Sequence, residues 1–169
     1  TSDGLNLYDD HRDDFIRITS TPGNPQSLAG DNIKTITEDS QGNIWIGTEG
    51  FGLSKMSPDL TFKNYSDDDG LLNNVVYGIV EDNNGCLWIS TSKGMSRFDP
   101  EAETFRNYSK FKQGLYSNEF KQNSFAKGQD GTLYFGGING FISFHPDSIG
   151  ENRAVPPVVI TEFYLSNRL

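Results

Sequence analysis

Two carboxylate pairs, Glu38-Asp39 and Glu81-Asp82, are the residues of this chain whose type and spacing first suggest chemistry. Adjacent carboxylates can share general acid and base work. With Asp39-Ser40-Gln41-Gly42-Asn43 following, the first pair could also offer oxygens to a calcium ion. Each pair, however, stands at the entrance of a short polar stretch containing glycine, where an Asp side chain closes a turn on its own backbone. Recurrence at the same point of two similar segments favours that capping role. The run Asp67-Asp68-Asp69-Gly70 is a stronger cation candidate, but such runs are more often solvated loops. His11 and His145 are the only histidines, and neither has a neighbouring Ser or Cys motif or a partner at metal-ligand spacing. The 18 glycines mark turns and form no phosphate-binding loop. No catalytic residue, metal or cofactor is expected.

The elements that would position these residues are repeats, which are sought first because they decide the architecture. Glu38-Asp39-Ser40-Gln41-Gly42-Asn43-Ile44-Trp45-Ile46-Gly47-Thr48 matches Glu81-Asp82-Asn83-Asn84-Gly85-Cys86-Leu87-Trp88-Ile89-Ser90-Thr91, with 43 residues from Trp45 to Trp88. A third copy, Gln129-Asp130-Gly131-Thr132-Leu133-Tyr134-Phe135-Gly136, puts Tyr134 another 46 residues on, and its Glu-Asp pair reads as Gly128-Gln129. A second half-motif also recurs: Gly94-Met95-Ser96-Arg97-Phe98-Asp99-Pro100 and Gly140-Phe141-Ile142-Ser143-Phe144-His145-Pro146, more loosely Gly52–Pro58, and Gly4–Asp9 without a preceding first half. Phe15-Ile16-Arg17, Phe62-Lys63-Asn64-Tyr65 and Phe105-Arg106-Asn107-Tyr108 end the units.

Alternation such as Ile44-Trp45-Ile46 predicts strands. Gln41-Gly42, Asn84-Gly85 and Asp130-Gly131 predict hairpin turns that need positive φ. Four short strands per unit follow: Ile33–Thr37 or Val76–Val80; Asn43–Gly47, Cys86–Ser90 or Thr132–Gly136; Leu53–Met56, Met95–Phe98 or Phe141–Phe144; Thr61–Asn64 or Thr104–Asn107. Four strands per 40–50 residues is the arithmetic of a propeller blade. The chain is predicted to be all-β: a β-propeller fragment of four-stranded blades, about three and a half repeats over residues 1–149. Trp45, Trp88 and Tyr134 are then packing residues between blades.

Bulk properties narrow the function classes. A net charge of -9 disfavours nucleic acid and anionic membrane surfaces, since phosphate contacts need clustered Lys and Arg. The single cysteine, Cys86, excludes an internal disulfide. No apolar run reaches the ~20 residues that span a bilayer, so no membrane contact by this segment is expected. Against the acidic average, Thr104–Lys127 carries Arg106, Lys110, Lys112, Lys121 and Lys127 with Glu119 alone opposing them, read as a solvated surface before an acidic-sugar site.

The recurring Glu-Asp, Gly, Leu-Trp-Ile-Gly-Thr, Gly-Leu, Phe-Asp-Pro and Phe-x-x-Tyr elements, clearest from Asn74 to Tyr108, resemble the two-component regulator propeller repeat over about residues 3 to 147. The tail from Pro156 to Phe163 resembles the entry to the small β-sandwich that follows such propellers, so residues 150–169 read as an exit linker and strand. The resemblance implies the periplasmic sensor region of a hybrid histidine kinase anchored in the inner membrane. It also implies an oligosaccharide as the ligand and a kinase as the downstream output.

In a propeller the loops joining strand two to three and those joining successive blades share one face. Binding residues sit preferentially on loops held by a rigid scaffold. That face offers Glu49 and Phe51, and as candidate ligand contacts Asn74, Tyr77, Lys93, Tyr116, Asn118 and Asn139, whose aromatic and amide groups suit sugar rings and hydroxyls. A propeller enzyme resembling streptogramin lyase and a protein-interaction scaffold are the rival readings, because a fold shared by binders and enzymes does not decide between them. Self-association is also expected, with the N-terminal half-blade of one copy completing the last blade of another to give seven.

Overall fold

The structure, a computed structural model, describes residues 1–109 and 119–149. It contains four antiparallel sheets in chain order. A two-stranded sheet, β1 (Leu5–Asp9) and β2 (Asp14–Ile18), comes first. A four-stranded blade follows, β3 (Ile33–Glu38), β4 (Ile44–Thr48), β5 (Leu53–Met56) and β6 (Phe62–Tyr65). The next blade repeats it with β7 (Val76–Glu81), β8 (Leu87–Thr91), β9 (Gly94–Asp99) and β10 (Thr104–Tyr108). Three strands close the described part, β11 (Phe120–Lys127), β12 (Leu133–Gly137) and β13 (Gly140–Phe144). The helical segments among the described residues are two single-turn 3-10 helices, Asp67–Asp69 and Pro146–Ser148. Every sheet is an up-and-down meander, and β3, β7 and β11 neighbour one another as the inner strands.

The hairpin glycines behave as the sequence predicts: Gly42, Gly85 and Gly131 have φ of +82°, +79° and +86°. A different demand falls on Gly78 in β7. A Cβ there would lie 2.3 Å from a ring carbon of Phe125 in β11, so the inner strands approach only because this side chain is absent. The sequence pattern does not predict the strand β11. Its sequence, Phe-Lys-Gln-Asn-Ser-Phe-Ala-Lys, lacks alternation because the register shifts between Phe120 and Phe125, with Asn123 at φ +56°.

Burial follows the interfaces between sheets. Trp45, Leu53 and Tyr65 of the first full blade pack with Ile79, Leu87, Ile89 and Phe98 of the second. Trp88, Met95 and Tyr108 of the second pack with Phe120, Leu133 and Phe135 of the third. Leu5 and Ile18 of the half-blade pack against Ile33, Ile46 and Phe62. Trp45 and Trp88 are fully buried, as expected of packing residues. Tyr134, at the same repeat position, is 38% exposed, because no further sheet among the described residues covers its face. The same geometry explains Ile36, 52% exposed where its repeat counterpart Ile79 is fully buried. The half-blade has no inner strands to lie over Ile36.

One polar device recurs in both complete blades. The Ser96 hydroxyl donates to Asn107 Oδ1 at 2.7 Å, the Leu72 N–H donates to Ser96, and the Asn107 amide donates to the Gly70 carbonyl. Ser54 and Asn64 repeat it: Ser54 donates to Asn64 Oδ1 at 2.6 Å, Ala29 N–H donates to Ser54, and the Asn64 amide reaches the Pro25 and Ser27 carbonyls. Each blade's outer strands thereby clamp the connection that leads into that blade. Satisfied in this way, an irregular connection is held in one conformation.

Candidate functional site

Three of the four paired carboxylates serve the scaffold. In the first full blade, Asp39 Oδ1 accepts from the Gln41 and Asn43 backbone N–H groups, and Oδ2 accepts from the Trp45 indole N–H at 2.8 Å. Asp82 does the same in the next, taking the Asn84 and Cys86 N–H groups on Oδ1 and the Trp88 indole on Oδ2 at 2.9 Å. The Asp thus closes the hairpin and satisfies the one polar atom of a buried Trp. Burial alone would raise the Asp39 pKa, but donors from Trp45, Asn43 and Gln41 outweigh it and hold the carboxyl below its ordinary value of 3.8. A carboxylate depressed in the fold adds stability above its unfolded pKa and loses it as pH falls through the folded one. The stability gap between the native chain and Asp39→Asn is therefore expected to be widest near neutrality and to close as pH drops below about 4. Urea titrations from pH 6 to 2 measure it, and a gap independent of pH would contradict this role.

Glu81 does something else: its carboxylate accepts from the Ser40 N–H at 2.8 Å and the Ser40 hydroxyl at 2.7 Å, bridging two blades. In the third copy the register differs from the sequence reading. Gly128 N–H pairs with Thr132 O as Asp82 N–H pairs with Cys86 O, so Lys127-Gly128, not Gly128-Gln129, stands where Glu81-Asp82 stands. The Asp is missing where the indole is missing, and Asp130 instead caps Thr132. The acidic run Asp67–Asp69 forms a 3-10 turn. Asp69 Oδ2 accepts from the Ser66 N–H and hydroxyl, and Asp67 exchanges hydrogen bonds with the Asn74 side chain. His145 precedes the other turn, its Nε2 3.1 Å from the Asp130 carbonyl. Among the described residues no group of three His, Cys, Asp or Glu is placed to hold a metal ion.

The predicted ligand-facing residues divide. Asn74 is half-buried, with its side chain on Asp67 and its carbonyl accepting from Gly50 and Gly52 N–H at 2.9 Å, so its polar groups organise the loops. Tyr77 packs onto the cluster between the second and third blades. Lys93 and Asn139 are exposed in two-residue turns of successive blades. Tyr116 and Asn118 lie outside the described residues, as do Lys110, Lys112 and the linker and strand read over residues 150–169. Lys121 and Lys127 are exposed, and Arg106 lies 5.6 Å from the Tyr108 ring centre. On the same face, Glu49 takes the Lys34 ammonium at 2.7 Å and the Asn32 amide at 2.6 Å, and the Lys34 contact above all keeps its pKa low. Phe51 stands exposed beside it.

The family profile described as two component regulator propeller matches residues 27–50 and 70–93. The chain carries two-component regulator propeller repeats. Each matched stretch runs from the clamped entry connection of a full blade through its first two strands, including the Asp and Trp. The corresponding stretch of the third blade, with Gly128 and Tyr134, is not matched. Among curated proteins, the histidine kinase P4 of Formosa agariphila is 34% identical over 97% of this chain, which spans only 16% of that kinase's length. Among solved structures, the extracellular domain assigned to the one component system BT4673 of B. thetaiotaomicron superposes with a TM-score of 0.71 at 23% identity, over 87% of this chain and 21% of that one. The extracellular domain assigned to the hybrid two component system BT3049 of the same organism gives 0.53 at 22%, over 99% and 29%. These neighbours share the propeller fold. No helix among the described residues is long and apolar enough to cross a membrane.

Proposed function

We propose that this repeat segment is a non-catalytic, ligand-sensing part of a periplasmic sensor in a membrane-anchored hybrid two-component receptor. Its ligand is an oligosaccharide, and the bound state is passed to a histidine kinase elsewhere in the same protein. The observation that carries the reading is the match along 97% of the chain to a histidine kinase of which the chain is 16%. A segment of propeller repeats matching so small a share of a kinase is suited to input more than to phosphoryl transfer. Two further features support it. The structural neighbours are extracellular domains. Three of the four carboxylates that might have done acid–base work, Asp39, Asp82 and Glu81, are occupied by turn amides, indoles and Ser40.

A ligand that binds only the native state raises stability by mass action, by about 2.7 kcal/mol at a hundred times its Kd. Thermal denaturation of the chain against neutral and acidic oligosaccharides is expected to show a saturable rise in midpoint for a subset of one glycan class. A flat response across the panel would defeat the sensing reading.

A further inference from the structure

We infer that Phe51 and the groove beside it form a subsite for an uncharged sugar residue; the inference rests on the oligosaccharide-sensing reading and names where on this chain it acts. Phe51 stands in the connection between β4 and β5, 58% exposed. The loop is fixed. Gly50 and Gly52 N–H groups both donate to the Asn74 carbonyl at 2.9 Å, Phe51 N–H donates to Thr48 Oγ1 at 3.2 Å, and Glu49 N–H donates to the Asn32 carbonyl at 2.9 Å. Gly50 and Gly52 hold φ of +96° and +81°, a conformation that other residues adopt only under strain. An apolar ring presented to water on so constrained a loop meets the usual pattern of a binding residue on a rigid scaffold.

The ring also has a seat. A Cβ on Gly30 would lie 2.4 Å from Phe51 Cδ2 and 2.7 Å from its Cγ, so the missing side chain at Gly30 is the space the ring occupies. The groove, of about 550 Å³, runs from this ring along the connection entering the first full blade. That connection turns at Thr21–Asn24 and is clamped from below by Asn64 on the Pro25 and Ser27 carbonyls. Eleven residues line the groove and none carries a charge, in a chain where 22% of residues do.

This composition selects a ligand. An aromatic ring receives the C–H face of a pyranose, while Asn24, Thr21 and Ser20 offer amide and hydroxyl groups to its rim. A carboxylated or sulfated sugar would lose hydration in the groove without gaining a cation. The groove also joins the two devices described above: the Ser54–Asn64 clamp sets one wall, and Asn74 holds the loop that carries the other.

The test titrates the full chain with cellohexaose, laminarihexaose, mannohexaose and hexagalacturonate by calorimetry. One neutral hexaose is expected to bind, with Phe51→Ala weakening it at least tenfold while the unfolding midpoint stays unchanged. Gly30→Ala, which keeps the ring but takes its seat, is expected to weaken the same hexaose several-fold. A neutral hexaose bound equally well by the native chain and both variants would overturn the subsite and leave the sensing reading standing. Binding of hexagalacturonate alone, weakened by Phe51→Ala, would overturn its neutral selectivity. Binding of none of the four would overturn the inference together with that reading.

Discussion

Replacing Trp88 by alanine is expected to lower the stability of the chain by about 3–5 kcal/mol, the range for truncating a large buried aromatic. Trp88 is 1% exposed, stacks with Tyr108 at 5.3 Å between ring centres, and meets Phe144 of the next sheet at 4.7 Å. Truncation would open a cavity between the second and third blades and remove the indole N–H from Asp82, which is 3% exposed. Asp82 would keep the Asn84 and Cys86 N–H groups, so the loss from packing exceeds the loss from the hydrogen bond. Trp88→Phe separates the two, since it retains most of the ring and deletes the donor, and is expected to lose about 1–3 kcal/mol, the range for a buried group left short of a partner. Urea titrations of both variants measure this. A change below about 1 kcal/mol for Trp88→Ala would exclude the packing role.

Most of the scaffold was legible because it rests on local signals. The Ile-Trp-Ile alternation gave strand and face together, and glycines at turn positions gave the hairpins. The capping role of Asp39 and Asp82 was legible too, although nothing in the sequence ties either to an indole six residues on. What escaped depends on contacts distant in sequence. In sequence Glu81 reads as a turn residue, whereas its partner Ser40 lies 41 residues earlier. The strand β11 was hidden by the bulge near Asn123, which breaks the two-residue period. The one-residue slip in the third copy arose because, without the Asp–Trp pair, nothing in Lys127-Gly128-Gln129 marks which residue starts the turn. At the candidate site, topology places Asn74 in the connection between blades, but nothing in the sequence ties its side chain to Asp67. Phe51 was visible as a loop residue. Its fixed, exposed ring follows from Gly30, which the sequence gives no reason to connect with it.

The other large effect expected is self-association of the chain, through end faces that carry the positions paired between its own complete blades. Between the two complete blades, Phe98 and Phe105 stack at 4.4 Å and pack across the interface, Phe98 lying 5.7 Å from Trp45 and 4.9 Å from Tyr65. Cross-strand register puts Tyr8 and Phe15 of the half-blade at those same two positions. They contact each other at 5.4 Å but are 52% and 62% exposed. At the other end Tyr134 stands where Trp45 stands, 38% exposed beside Phe141, itself 71% exposed. One end therefore presents the phenyl pair and the other the aromatic it packs on elsewhere in the chain, the arrangement of a heterologous contact. The structure alters how closure would occur. The sequence suggested that the half-blade of one copy completes the last blade of another, giving seven, but β13 already fills the third-strand position there. Sheets then stack face to face, and two copies of four sheets make eight, within the range of known propellers. Two such contacts should exceed the ~1,000 Å² of a stable interface. Light scattering behind a sizing column is expected to give twice 18.8 kDa at roughly tens of micromolar protein. Phe15→Lys, whose side chain makes little use of its own sheet's core, should return the monomer without loss of fold. An 18.8 kDa species unchanged by concentration would refute closure by a second copy.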